Sequence, residues 1–403
     1  MIESDFFVAN RQKLSELLAG VPLVMTAYTQ TQRRSDMSWH FEQESSFWWL
    51  TGIDAPDWQL IIDTARHKSW LVAPEVDEVH QVFDGSLSID DAVRISGADG
   101  VLTRRQADEK IAEFAQRHTV IYTLGDDPHA AHYNFVLNPA PAELRRQLMR
   151  VFKEVRSARN EINTLRAIKQ PVELNAMQRA IDLTIDGFTE IHKNLANFKY
   201  EYEIDAEFSY LFRKKGALGH AYDPIVASGA NACTLHYVAN NERLKKRQLL
   251  LLDIGASVGG YAADITRTYA YGEPTKRQIE IHAAVQLAQK EIINSIAPNL
   301  SVEEYQHNVD GIMTNALVSV GLMKDRDDQD SYRRYFPHAI SHGLGVDVHD
   351  SLGGPKYLQP GMVLTVEPGI YIPEEGIGVR IEDDILVTAD GRKNLSQRLS
   401  TDL

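Results

Sequence analysis

Two apolar runs in the second half of the chain end on acids, where an uncompensated charge is hardest to keep. Gln248–Gly255, QLLLLDIG, reads as a buried strand ending on Asp253, and an isolated buried carboxylate is costly unless something neutralises it. After the turn Ala256–Gly260, the run Tyr261–Thr268 resumes a strand and supplies Asp264, eleven positions after Asp253. A hairpin would set the two side by side. Adjacent carboxylates repel unless they share a proton or a cation, and a shared divalent ion is the usual solution when more ligands are near. Asp beside Gly is also ordinary turn chemistry, and for this pair alone that reading stands.

The pattern returns near the other end. Met362–Gly369 is an apolar strand ending on Glu367, and Gly378–Thr388 reads as a strand with Glu382 in its middle. Glu382 alone has an ordinary explanation, an ion pair with Arg380 two positions away on the same strand face. Two hairpins that each present two carboxylates form a cluster of four acids, which is untenable without bound cations. Between them lies Phe336–Asp350, with His338, His342 and His349 inside twelve residues. The His-x-x-x-His spacing is that of helical zinc proteases, but Ala339 stands where they need glutamate, and Gly343 and Gly345 break a helix, so that reading fails. His236 follows a glycine-led loop, Ser228–Tyr237, and by itself is as well explained as a loop histidine.

These residues need a scaffold. A length of 403 residues suggests two domains, and 43% hydrophobic with 24% charged residues is ordinary globular composition. A formal net charge of -14 disfavours nucleic acid as a partner. The single cysteine, Cys233, excludes an internal disulfide and a thiolate zinc cluster. With no signal-like start and no run of about 20 apolar residues, the expected location is the cytoplasm, away from membrane. Apolar runs at 23–28 and 60–72, with a helical stretch around 106–116, make the first part α/β. The charged run Glu143–Gln170 reads as a connecting helical region, placing a boundary near 160. Pro171 opens a long amphipathic helix, and a comparable one covers 276–296.

The segments SGANACTLHY, LLDIGASVGGYAADITRT, HAISHGLGVDVHD, GMVLTVEPGIYI and GIGVRIEDDILVT, spread over 228–388, resemble the pita-bread dinuclear metallopeptidases, in the Xaa-Pro aminopeptidase (aminopeptidase P) and prolidase branch. Phe41–Gly52 resembles the same family more loosely. The resemblance implies an α/β (α+β) protein: a smaller N-terminal creatinase/aminopeptidase P-like α/β domain, 1–160, then a pita-bread catalytic domain, 161–403. It implies that Asp253, Asp264, His342, Glu367 and Glu382 bind two divalent metal ions, with Asp264 and Glu382 bridging. His236, His338, His349 and Arg380 fall on substrate-side positions. Four carboxylates with one imidazole favour Mn²⁺, with Zn²⁺ or Co²⁺ as other candidates.

The activity so implied is cleavage before proline in short peptides with proline at the second position. A metal-bridging hydroxide is the nucleophile, and Glu367 accepts and passes on its proton. One metal and His349 stabilise the oxyanion, while His236 and His338 orient the substrate. A homo-oligomer, dimer or tetramer, is expected. The competing readings are an Xaa-Pro dipeptidase (prolidase) and a metal-free binding module, against which the complete ligand set argues. A methionine aminopeptidase fits worse, because those enzymes usually lack the large N-terminal domain.

Overall fold

The computed structural model describes residues 2–125 and 133–403. The chain divides into two compact units, Met1–Leu165 and Arg166–Leu403.

The first unit is built on a mixed six-stranded sheet, in the order Gly100–Leu102, Lys68–Val72, Gln59–Asp63, Leu23–Thr26, Val120–Thr123 and Glu154–Ser157. Gln59–Asp63 runs antiparallel to both its neighbours, the other three pairs are parallel, and helices supply the crossovers that parallel pairing requires. Val24, Ile61 and Val72 of the strands pack with Phe114 of the helix Arg104–Arg117 and Leu148 of the helix Pro139–Leu148. This is the expected α/β architecture. The apolar run at 60–72 is a hairpin of two strands, turning at a left-handed His67.

The charged run expected to be helical differs. After Leu148 the chain forms the strand Glu154–Ser157 before the helix Arg159–Ala167. That strand lies at the sheet edge with mostly exposed side chains, Arg156 pairing with Glu154 at 2.8 Å. An edge strand dressed in charge has no apolar alternation to reveal it.

In the second unit the long helix Pro171–Lys193 starts on its proline as expected, and the Glu173 carboxylate accepts from Gln170 N at 2.9 Å. Its buried face, including Ala180, Ile181 and Ile185, lies against the short strands Ala256–Val258 and Tyr261–Ala262. The helices Lys276–Ser295 and Val302–Ser319 cover the other side, where Ile281, Val285 and Met313 pack with Val366, Val379 and Ile385. No helix among the described residues is long and apolar enough to cross a membrane.

Between these helices, Gln248–Ile254 pairs antiparallel with Ile265–Tyr271, Asp253 opposite Thr266. The second hairpin is interrupted. Val363–Val366 pairs with Asp383–Thr388, and Gly369–Ile372 pairs with Ile377–Arg380. Glu367 and Pro368 on one arm face Ile381 and Glu382 on the other at the break, so Glu382 sits at a strand junction and not in mid-strand as expected. Pro368 has no N–H for the ladder, and Glu382 N instead donates to Thr266 O of the first hairpin at 3.0 Å. Thr268 Oγ1 also donates to Arg380 O at 3.0 Å, stitching the two hairpins together. The tip of the second hairpin, Pro373–Gly376, points away from the break and is tied by Glu375 to Arg277 at 2.9 Å.

Gly255 lies where the first hairpin bends. A Cβ there would stand 1.8 Å from Ala263 O and 2.8 Å from the Tyr222 ring, so any side chain pushes the backbone next to Asp264. Gly255→Ala is therefore expected to cost about 3 kcal/mol, the upper range for overpacking. A denaturant midpoint equal to that of the wild type would contradict this tight approach.

Candidate metal centre

Both aspartates of the first hairpin reach the same donor. Tyr222 OH lies 2.5 Å from Asp253 Oδ1 and 2.6 Å from Asp264 Oδ1. Burial, then the charges of the two aspartates, raise the phenol well above its usual pKa, so it stays protonated and donates. The acids themselves are buried, with Asp253 7%, Asp264 5% and Glu382 2% exposed.

The hairpin break delivers the glutamates to the same place. Glu382 Oε2 accepts from Thr266 Oγ1 at 2.6 Å, and Thr365 Oγ1 donates to Glu367 Oε1 at 3.4 Å. His342 is held by an extended segment bridged to Val363–Val366: Leu344 N donates to Val363 O, and Thr365 N to His342 O at 2.9 Å. Its Nδ1 faces Gly343 O at 3.0 Å, which turns Nε2 toward Asp264 Oδ2 at 3.3 Å and Glu367 Oε1 at 3.6 Å. Ligand atoms of Asp264, His342 and Glu382 all lie within 4.8 Å of one another. Asp253 and Glu367 join them through Tyr222 and His342. The segment 338–350 is not helical, in keeping with its glycines.

The electrostatics are those of a site short of positive charge. Burial and then the charge of Asp264 raise Glu382 well above the carboxylate range, and Glu367 is pushed up to about 7, with burial again the main cause. His342 moves the other way from most buried histidines. Burial pulls it down, yet its hydrogen bond to Asp264 and the charges of Asp264 and Glu367 carry it to about 9. Left to itself the cluster collects protons. The donor set of buried carboxylates with one imidazole turned inward suits divalent cations, which would replace those protons.

Around this centre the remaining candidates fall into two groups. Arg380 pairs with Asp253, not with Glu382 as its spacing allowed, and also donates to Tyr371 OH at 2.9 Å and Thr266 Oγ1 at 3.2 Å. His338 Nε2 is 2.8 Å from the same Tyr371 OH, and its Nδ1 is 3.6 Å from Glu367 Oε2. Burial lowers the His338 pKa to about 4, which keeps the ring neutral. His349 is exposed, its ring 4.4 Å from that of His342 and nearly perpendicular to it. The chain beside it is fastened by Asp350, which pairs with Arg166 and Lys169 at 2.9 Å each. His236 stands apart from this packing, exposed on its loop, within electrostatic reach of His338 and His349.

Sequence reasoning misses Tyr222, Thr266, Tyr371 and Asp384. Asp384 is fully buried, and its Oδ2 lies 3.4 Å from Asp264 N. Thr266 is signalled by alternation, since it sits opposite Asp253. Tyr222 and Tyr371 carry no spacing signal that sets them apart from other tyrosines of the chain.

The chain resembles known proteins over most of its length. Residues 175–389 match metallopeptidase family M24, and residues 7–122 match the aminopeptidase P N-terminal domain. The Xaa-Pro aminopeptidase of Escherichia coli (strain K12) is 32% identical, over 98% of this chain and 95% of that protein. Human Xaa-Pro aminopeptidase 3 is 34% identical, over 90% of this chain and 75% of its own length. Among solved structures, aminopeptidase P from E. coli superimposes with a TM-score of 0.87 at 30% identity, covering 100% of this chain and 97% of that one. Proline aminopeptidase P II from Yersinia pestis gives 0.85 at 30% identity, covering 100% and 98%.

Tyr222→Phe tests the shared donor. Removing the hydroxyl takes away the single proton that the two aspartates share without changing their charge, and loss of such a supporting bond typically weakens metal binding by about 10- to 100-fold. Competition titration with a chromophoric chelator is expected to show that loss with the fold unchanged; unaltered affinity would make the contact incidental.

Proposed function

The chain belongs to metallopeptidase family M24, and from that membership we propose that it is an Xaa-Pro aminopeptidase, hydrolysing the bond between an N-terminal residue and proline. The observation that carries this reading is the crowd of carboxylates around His342, a donor set suited to divalent cations, joined to a match with the aminopeptidase P N-terminal domain. The C-terminal unit accordingly takes the pita-bread fold and the N-terminal unit the α/β fold of its family.

Asp253, Asp264, His342, Glu367 and Glu382 are proposed to hold two divalent ions, with Mn²⁺ suited to so oxygen-rich a donor set. Bound there, the ions would supply Lewis acidity toward the scissile carbonyl and a lowered pKa for the attacking water. The chain's own groups do the rest. Glu367, the least buried of the acids, takes the water's proton and returns it to the proline nitrogen, which must be protonated before it can leave. His349 donates to the oxyanion as it forms. Arg380 and Tyr371 fix Asp253 and His338, and His338 with His236 orients the peptide. Peptides with proline at the second position are the proposed substrates, and cytoplasm the proposed location, which suits an unpaired Cys233. A homo-oligomer, dimer or tetramer, is also proposed, since exposed Val79, Val82 and Phe83 of the first unit suit burial between copies.

Asp264→Asn and Glu382→Gln each remove one charge from the centre of the cluster. Both are expected to lower kcat/KM on an Xaa-Pro peptide by more than about 100-fold, beyond the effect of losing a supporting hydrogen bond, with the melting temperature kept. Near-normal rates in either would remove the metal assignment.

The enzyme is further expected to cut Ala-Pro-Ala at least as well as Ala-Pro. A strict dipeptidase must read the free proline carboxylate with a cation, preferably a bidentate arginine. Fifteen positions separate Glu367 from Glu382, and the basic residue among them, Arg380, is committed to Asp253 and Tyr371. Lys356, from outside this segment, lies over the ring of Tyr357, 5.6 Å from its centroid. Comparison of kcat/KM under matched metal decides the matter: cleavage of Ala-Pro with none of Ala-Pro-Ala would establish the prolidase alternative.

A further inference from the structure

Glu201 opens the helix Glu201–Lys214 and is fully buried, yet it forms no ion pair among the described residues. Its carboxylate is instead filled by neutral donors. Oε1 accepts from Ser228 N at 2.8 Å, Ser228 Oγ at 2.8 Å and Asn231 Nδ2 at 3.0 Å. Oε2 accepts from Tyr237 OH and Glu242 N, both at 2.9 Å. A buried carboxylate without a cation is tolerable only when its lone pairs are met in this way, and the start of a helix adds a favourable dipole.

Every one of these donors belongs to the segment 228–242. That segment leaves the strand Ile225–Ser228, makes the short turn Gly229–Cys233, carries His236, and returns at Glu242, whose O accepts from Glu201 N at 3.0 Å. His236 is exposed, and its side chain has no hydrogen-bonded partner among the described residues, so its direction is set by the loop alone. Tyr237, its neighbour, is clamped to Glu201. One carboxylate thus pins the loop at its start, beside its histidine and at its end. Both Glu201 oxygens act as acceptors here; a carboxamide in its place would turn an NH₂ toward Tyr237 OH, which can rotate, or toward Glu242 N–H, which cannot.

We propose that Glu201 is a positioning residue for His236, holding the loop 228–242 so that this imidazole keeps its place relative to His338 and His349. The role rests on the reading of the chain as an Xaa-Pro aminopeptidase in which His236 orients the peptide.

The test is a double-mutant cycle of Glu201→Gln and His236→Ala, read by kcat, KM, bound metal and melting temperature. Glu201→Gln is expected to lower kcat/KM about tenfold or more, a modest misplacement of a substrate-orienting group, with metal content unchanged. In the His236→Ala background the same substitution is expected to add nothing. An equal loss in both backgrounds, or no loss in either, would overturn the proposal, and so would His236→Ala with full activity. Hydrogen exchange across 229–242 reads the loop without reference to activity: faster exchange confined to it in Glu201→Gln supports the clamp, and unchanged exchange refutes it. If metal-loaded wild type cuts no Xaa-Pro peptide, the functional reading fails, and the proposed role for His236 with it. Should Glu201→Gln not fold, Tyr237→Phe, which removes only the bond beside His236, gives the same pattern at smaller amplitude.

Discussion

Mutual repulsion among buried carboxylates is the constraint on which the second unit depends. Asp253, Asp264, Glu367 and Glu382 come from strand ends whose neighbours are apolar, in surroundings where water screens them little. Each acid is answered locally: Asp253 by Arg380, Asp264 by Tyr222 and His342, Glu367 by Thr365 and His342, and Glu382 by Thr266. These answers hold the acids in place while cancelling only part of their charge, which is the condition for a site that is rigid before it is loaded.

The backbone solves the same problem in another way. A continuous ladder through Glu367 and Glu382 would force their side chains to alternate faces with their neighbours. The interruption at Pro368 frees both arms of the hairpin to turn their acids toward the first hairpin, and the lost ladder bond is recovered by Glu382 N on Thr266 O. Arg267 completes the junction underneath. Its guanidinium, 1% exposed on its side chain, bonds Glu382 O at 2.6 Å and Asp383 at 2.7 Å. The two hairpins are therefore one object, and neither can shift without the other.

Much of this is legible in the sequence because the signals are anomalies. An acid closing a run of leucines, as at Asp253, is conspicuous against a background in which buried strands are apolar, and its recurrence at Glu367 makes coincidence untenable. His342 is legible once the helical zinc motif is excluded by Ala339 and the glycines. What stays hidden is contact without periodicity. Tyr222 precedes Asp253 by 31 positions and meets it only because the chain crosses the sheet. The strand Glu154–Ser157 is hidden for the opposite reason, its charged side chains imitating an exposed helix. Glu382 is read in the right place but in the wrong setting, since nothing in Gly378–Thr388 marks the junction except Pro368 on the opposite arm.

The hairpin Gly369–Arg380 has its acids at the base and its turn, Pro373–Gly376, at the far end, where Glu375 pairs with Arg277. Antiparallel strands lengthen two residues at a time, one on each arm, and added pairs leave the register below them untouched. The length of this hairpin, packed by Ile370 and Val379 into the core, is thus independent of the geometry at its foot. Residue pairs can be gained or lost at the turn while the acids at its base keep their places.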